Sequence, residues 1–347
     1  MGTLAILTLT LVLAGSAQPQ QPAADGRALL LKYLQGERTL GMPTPFDTER
    51  FIGSIRDAID RGLPGPPEHA RRATAAFLLE AALARLDAGD VTGSQRLVEF
   101  ACERVRAHSP GDDFDAAWFN ASLSLADAWL NPNALENHVR HVRSQRPDDP
   151  VATLSWALAA EQRASPAIAP RPPAEADAVV EAAEARRKAE QERLLDDANA
   201  RLALALANPS TVAEARVRTA HMQLTRGQAA DALTTLRALE SSTREGWVVY
   251  LARLFRGQAF EATHRPDDAA TSYRDALKVG PNGHSATMAL AALLFLQNRP
   301  GTRDEATALV HALLADNDPI SDPWWTYWAG GARLWNARLK VLRERLQ

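Results

Sequence analysis

The sequence is poor in the residues that build special sites. It holds one cysteine in 347 residues, so no intrachain disulfide can form and packing alone must hold the fold. Positive charge is not in excess. With 39 Lys and Arg against 42 Asp and Glu, the net charge is -3, which leaves no extended positive field for a phosphate backbone and excludes nucleic acid as an expected partner. Long apolar runs are missing as well; the one from Leu4 to Ala14 is too short to span a bilayer. Period-two runs of Val, Ile, Thr and aromatics are nearly absent, which argues against sheet. Motifs of the form GxSxG, GxGxxG, GKS or GKT, HExxH and CxxC do not occur, so the loops of common hydrolases, nucleotide enzymes and zinc sites are absent. No catalytic residue, metal or cofactor is assigned, and the expectation is a non-enzyme.

What is present begins with a leader. Leu4 to Ala14, then Gly15, Ser16 and Ala17 and a Gln/Pro tract, read as a secretory signal peptide over residues 1–17, with a polar stretch over 18–25. Ser16 stands where the lipid-bearing cysteine of a lipoprotein would be, so no lipid anchor is expected. The mature chain is expected to be periplasmic or secreted, with no stable membrane span. Cys102, in LVEFACERV, lies on an apolar helical face and reads as a buried small hydrophobe, which suits an oxidising compartment. Lysine appears only at Lys32, Lys188, Lys278 and Lys340 while arginine and alanine abound, as in a GC-rich bacterial genome.

Apolar residues recur at spacings of three and four almost everywhere after residue 25, so the chain reads as all-α. Pro, Gly and Asn, as in LPGPP (63–67), HSPGDD (108–113), NPN (131–133) and RPDDP (146–150), cut it into segments that imply antiparallel helical hairpins. The clearest unit covers 250–283. Gly257 and Phe260 lie on its first helix, Ala269, Tyr273 and Ala276 on its second, and Pro281 closes it. Shifted copies place Ala220, Gly227, Ala232, Leu236 and Leu239 upstream, and Ala291, Leu294, Ala306, Val310 and Leu313 downstream. Weaker pairs occupy about 26–37 with 47–61, about 70–107, and about 115–145 with Trp118 and Trp129. This pattern resembles the tetratricopeptide repeat, strongly over 210–315 and moderately over 68–160. The resemblance implies an α-solenoid, a superhelix of stacked hairpins in which each covers its neighbour's apolar face.

The repeats are therefore expected over 26–164 and 208–320. Between them, 165–207 opens with a proline-rich turn and continues as a charged, solvated helix that regains core contact at Leu194, Leu195, Leu202 and Leu206. Residues 321–347 read as a tryptophan-rich capping helix. Asp322 and Pro323 give a helix start, and Trp324, Trp328, Gly331, Trp335, Leu339, Leu342 and Leu346 form one stripe, with Thr326, Arg333, Lys340 and Glu344 on the wet side. Burying three tryptophans offers about 15 kcal/mol before entropy, which suits an end plate packed on the last hairpin. Gly330 and Gly331 are positions where that helix can break or admit a close backbone.

The resemblance also implies a concave groove lined by first helices that holds a peptide segment or a partner helix. Its expected lining is Val217, His221 and Leu224, then Leu254, Gln258 and Glu261, then Met288, Ala292 and Phe295. The lining is mostly apolar, which disfavours capture of a C-terminal carboxylate and favours an apolar peptide, a partner helix or self-packing. Trp325 and Tyr327 fall off the stripe and form a candidate aromatic contact surface. The alternative is an enzyme on the same scaffold, for example a glycan-processing one, with a site among Trp324, Trp325, Tyr327 and Asp322. His138 and His141, three apart, read as structural or surface residues. The clusters Asp112, Asp113, Asp115 and Asp316, Asp318, Asp322 read as caps and turns, and Glu99 with Glu103 as a solvated carboxylate pair.

Overall fold

The computed structural model describes residues 25–37, 46–103, 113–165, 177–239, 243–315 and 322–346. The leader, the segment that carries Asp112, the proline-rich turn, and Asp316 and Asp318 lie outside them. Every regular element among the described residues is helical. In order these are α1 (Gly26–Leu34), α2 (Thr48–Asp60), α3 (Pro67–Asp87), α4 (Val91–Cys102), α5 (Asp113–Asp127) and α6 (Pro132–Gln145). There follow α7 (Pro150–Ala164), α8 (Asp177–Leu206), α9 (Val212–Thr225), α10 (Ala229–Arg237), α11 (Gly246–Ala262) and α12 (Pro266–Val279). The chain ends with α13 (His284–Gln297), α14 (Thr302–Ala315), α15 (Pro323–Ala329), a 3₁₀ turn (Gly330–Leu334) and α16 (Trp335–Leu346).

Short polar residues set the starts. Asp149 Oδ1 accepts from the backbone N–H of Val151 at 2.9 Å and of Ala152 at 3.0 Å, and Asp47, Asp90, Asn131 and Asp322 cap in the same way. Each satisfies a backbone donor that the first helical turn leaves unpaired. Consecutive helices pair as hairpins, and the second helix of one packs on the first of the next at α6 with α7, α8 with α9, α10 with α11 and α12 with α13. Within the α11/α12 hairpin the small residue is obligatory: a Cβ on Gly257 would come within 2.2 Å of the Tyr273 ring. The core is correspondingly in two large parts, one spanning α1 to α7 and one spanning α9 to α15. A patch of Ala157, Ala160, Leu195, Leu202, Ala215 and Met222 joins them across α7, α8 and α9. The long α8 is solvated from Glu184 to Glu190 and buried at Leu195 and Leu202, with Leu194 and Leu206 half-buried.

The C-terminal segment departs from the sequence reading. It does not cap the last hairpin but folds back over the first helices, α15 on α11, the 3₁₀ turn on α5 and α7, and α16 on α5 and α3. Nor is it one helix. At Gly330 the backbone takes φ 52° and ψ -131°, where a Cβ would lie 2.5 Å from Leu158 Cδ2. The positive φ and the close approach to the Leu158 side chain, both open to glycine alone, thus end α15 and let α16 restart over the N-terminal half. As a result the α13/α14 hairpin keeps an uncovered side, with Leu296 82% and Leu314 74% exposed.

Candidate functional site

The face built from first helices α3, α5, α7, α9 and α11 is occupied by residues 323–346 of the same chain. Sequence places single carboxylates inside otherwise apolar or small-residue runs on these helices: Glu80 in AFLLEAAL, Asp127 in SLSLADAW, Glu161 in SWALAAEQ. Each meets a group from the returning segment. Glu80 accepts from Arg343 Nε at 3.1 Å and Nη2 at 2.8 Å, and from Tyr33 Oη at 2.8 Å. Asp127 Oδ2 accepts the backbone N–H of Gly331 at 2.7 Å. A Cβ at position 331 would lie 2.4 Å from that oxygen, so the glycine is what admits the bond. Arg338 Nη1 donates to Asn120 O at 3.0 Å and to Ser124 Oγ at 2.5 Å.

The densest part lies where α7, α9 and α15 meet. Arg218, fully buried, donates to Glu161 Oε2 at 2.8 Å, to Glu214 Oε1 at 2.8 Å and 3.0 Å, and to the Tyr327 carbonyl at 2.8 Å. Its guanidinium lies 4.3 Å from the centre of the Tyr327 ring. The Tyr327 hydroxyl donates to Glu161 and lies 2.8 Å from His221 Nδ1. Arg333 completes the chain of charges by donating to Glu214, with its guanidinium 4.3 Å from the Trp247 ring centre. Around this, Trp324 stacks on Tyr327 at 5.4 Å and 3°, and His221 stacks on Phe255 at 5.0 Å. A bidentate guanidinium shared by two carboxylates satisfies charges that burial would otherwise penalise heavily.

Titration follows the surroundings. Burial pushes the Asp127 carboxyl up to about 7, against the opposing pull of the Gly331 N–H and Arg338. Burial would raise Glu214 also, but Arg218 and Arg333 outweigh it and hold the carboxyl below its ordinary range. Desolvation lowers His138 to about 3 and pushes the Cys102 thiol up to about 12. Both groups are thus neutral at ordinary pH, His138 Nε2 lying 2.8 Å from Ser122 Oγ and Nδ1 3.9 Å from Cys102 Sγ. That is a packed polar contact, not an activated thiol.

The residues singled out from sequence separate into two groups. Val217 and Leu254 are inside the core, and His221 and Leu224 are half-buried, His221 beneath the returning segment. Glu261 is half-buried and accepts from the Tyr273 hydroxyl. Gln258, Met288, Ala292 and Phe295 are exposed. Tyr327, expected at the surface, is fully buried, because the segment turns its off-stripe face toward Glu161 and Arg218; Trp325 is 56% exposed. Arg333, expected on the wet side, pairs instead with Glu214. Asp322 has one oxygen on Trp324 N at 2.8 Å and the other on Ser285 N at 2.5 Å, so its carboxylate serves backbone donors on two helices. Sequence reasoning missed Glu80, Asp127, Glu161, Arg218, Arg338 and Arg343; the readable signal was a lone carboxylate amid small apolar residues.

Among the described residues no group of three His, Cys, Asp or Glu could hold a metal ion, and no helix is long and apolar enough to cross a membrane. A scan against protein-family models gives no match, and a search of curated proteins gives none either.

Proposed function

We propose that the protein is a non-catalytic, tetratricopeptide-like interaction scaffold of the bacterial periplasm or envelope, binding a peptide segment or partner helix along its first-helix face. The observation that carries this reading is the occupancy of that face by a helical segment of the chain itself. Residues 323–346 lie across α3 to α11 with apolar side chains and arginines turned inward, which is how a scaffold of this kind holds a helix in trans. The self-filled stretch leaves a shorter free one. Met288, Ala292 and Phe295 on α13, with Gln258 on α11, remain exposed, Met288 at 53% and Phe295 at 41%. This is the part of the expected groove available to a partner, and the apolar face of an amphipathic helix suits it.

The test is site-specific crosslinking in the native envelope. A photoreactive residue at position 295 is expected to give a discrete adduct that the same residue at exposed Leu204 on α8 does not, and Met288→Asp is expected to abolish it. Identical adducts from both positions would remove the α13 face from consideration. Export is checked separately: the mature protein should be recovered from the periplasmic fraction with its N-terminus near residue 18.

A further inference from the structure

A second site lies beside the returning segment. A cavity of about 270 Å³ opens between the first half of α7, the starts of α9 and α11, and the 3₁₀ turn, with Arg338 of α16 on its wall. Val151, Leu154 and Leu158, one stripe of α7, make it largely apolar, together with Leu334 and Trp247. The charges around it are matched except at one point. Arg333 donates to Glu214 and to the Gly330 carbonyl, and its guanidinium lies over the Trp247 ring. Glu214 is shared between Arg333 and Arg218, and Glu245, exposed, accepts from Trp247 Nε1 at 3.1 Å. Arg338 is different. Its Nη1 donates to two neutral acceptors, Asn120 O and Ser124 Oγ. Among the described residues no carboxylate pairs with it, and no acceptor takes the hydrogens of its Nε and Nη2. Burial pushes the guanidinium down from its ordinary value. The carboxyls that act on it through space, Asp127, Glu214 and Asp149, are engaged by the Gly331 N–H, by Arg218 and Arg333, and by the first turn of α7.

A hydroxyl is left over in the same cavity. Ser155 lies on the α7 stripe and is only 3% exposed. It makes no hydrogen bond among the described residues, whereas Thr153 and Thr219 bond carbonyls of their own helices at 3.0 Å and 2.8 Å. Buried polar groups are ordinarily bonded, so the cavity presents two donors, a guanidinium edge and a hydroxyl, with no acceptor.

Shape and chemistry narrow what that acceptor is. The edge of a guanidinium that carries Nε and one Nη matches the two oxygens of a carboxylate with parallel bonds, and a serine hydroxyl can add a further bond to one of them. A phosphate would bring more oxygens than these donors serve and would set them against valine and leucine, at a desolvation cost. About 270 Å³ is the share of about nine waters, which leaves room for a head group and a short tail.

We propose that this cavity binds a small monocarboxylic acid with a short apolar tail, the carboxylate held by Arg338 and Ser155 and the tail by Val151, Leu154, Leu158 and Leu334. The site is independent of helix binding on the first-helix face and needs no partner protein.

The probe is sodium octanoate, titrated calorimetrically against the full-length chain, and saturable one-to-one binding is expected. On the unaltered protein 1-octanol and octylammonium, which keep the tail without the carboxylate, should bind at least about tenfold more weakly. Acetate and inorganic phosphate, which lack the tail, should not saturate at the same concentrations. Ser155→Ala removes a hydroxyl that bonds nothing in the protein, so thermal unfolding should be unchanged while octanoate binds about threefold or more weakly. Arg338→Lys keeps the charge without the two-pronged edge and is expected to lose about tenfold. Absence of octanoate binding, equal binding of octanol or octylammonium, saturation by acetate or phosphate, or undiminished binding by either variant would overturn the proposal.

Discussion

Asp127 carries a consequence for pH. Its carboxyl is raised from 3.8 to about 7 by burial, so the folded protein holds this proton more tightly than the unfolded chain does. The stability it contributes is full at low pH and falls as pH rises through 4 toward 7. Asp127→Asn keeps an acceptor for the Gly331 N–H without the charge, and should flatten that part of the pH dependence when urea unfolding is compared at pH 5 and pH 8. An unchanged slope would mean that the carboxyl titrates elsewhere. Arg218 tests the opposite case. Replacement by Met leaves Glu161 and Glu214 buried without their shared guanidinium, and a loss of about 3–5 kcal/mol is expected in the same assay. The Cys102 thiol, raised to about 12 by burial, should resist a thiol-reactive dye until the protein is unfolded.

At the level of single elements, the break at Gly330 and Gly331 separates α15 from α16. Gly331→Ala places a Cβ 2.4 Å from Asp127 Oδ2 and should destabilise by about 1–3 kcal/mol, whereas Gly53→Ala, with nothing within 4 Å of its Cβ, should not; thermal melting distinguishes them. The hairpins themselves were legible. Proline and asparagine at turns, and small residues at crossings such as Gly257 against Tyr273, are local signals that act over a few residues. The stripe of Trp324, Trp328, Trp335, Leu339 and Leu342 was legible as apolar too, but not what it would meet. An amphipathic pattern states that a face must be covered and is silent on which surface covers it. The partners here, Asp127 and Glu80, lie more than half the chain away, and their pairing with Gly331 and Arg343 has no local signature. Tyr327 was misplaced for the same reason: a helix read as straight assigns its faces by counting, and the 3₁₀ turn resets the count.

For the whole molecule, the returning segment joins the two cores. Trp324, Tyr327 and Trp328 pack with the C-terminal one, and Trp335, Leu339, Leu342 and Leu346 with the N-terminal one. Leu342→Ala should cost about 2–5 kcal/mol, and hydrogen exchange should quicken in α3 and α5 while α12 and α13 stay protected. Uniform loss of protection would mean that the cores unfold as one. The order in which such a chain is made gives this arrangement a further meaning. The helices that seal the first hairpins emerge from the ribosome long after those hairpins do, and contacts between such distant stretches form slowly. Throughout synthesis the early hairpins keep an open apolar flank, with Glu80 still lacking Arg343 and Asp127 still lacking the Gly331 N–H. The final structure is therefore reached only once these sealing helices have been made, and until then the early hairpins must be kept from associating through that flank.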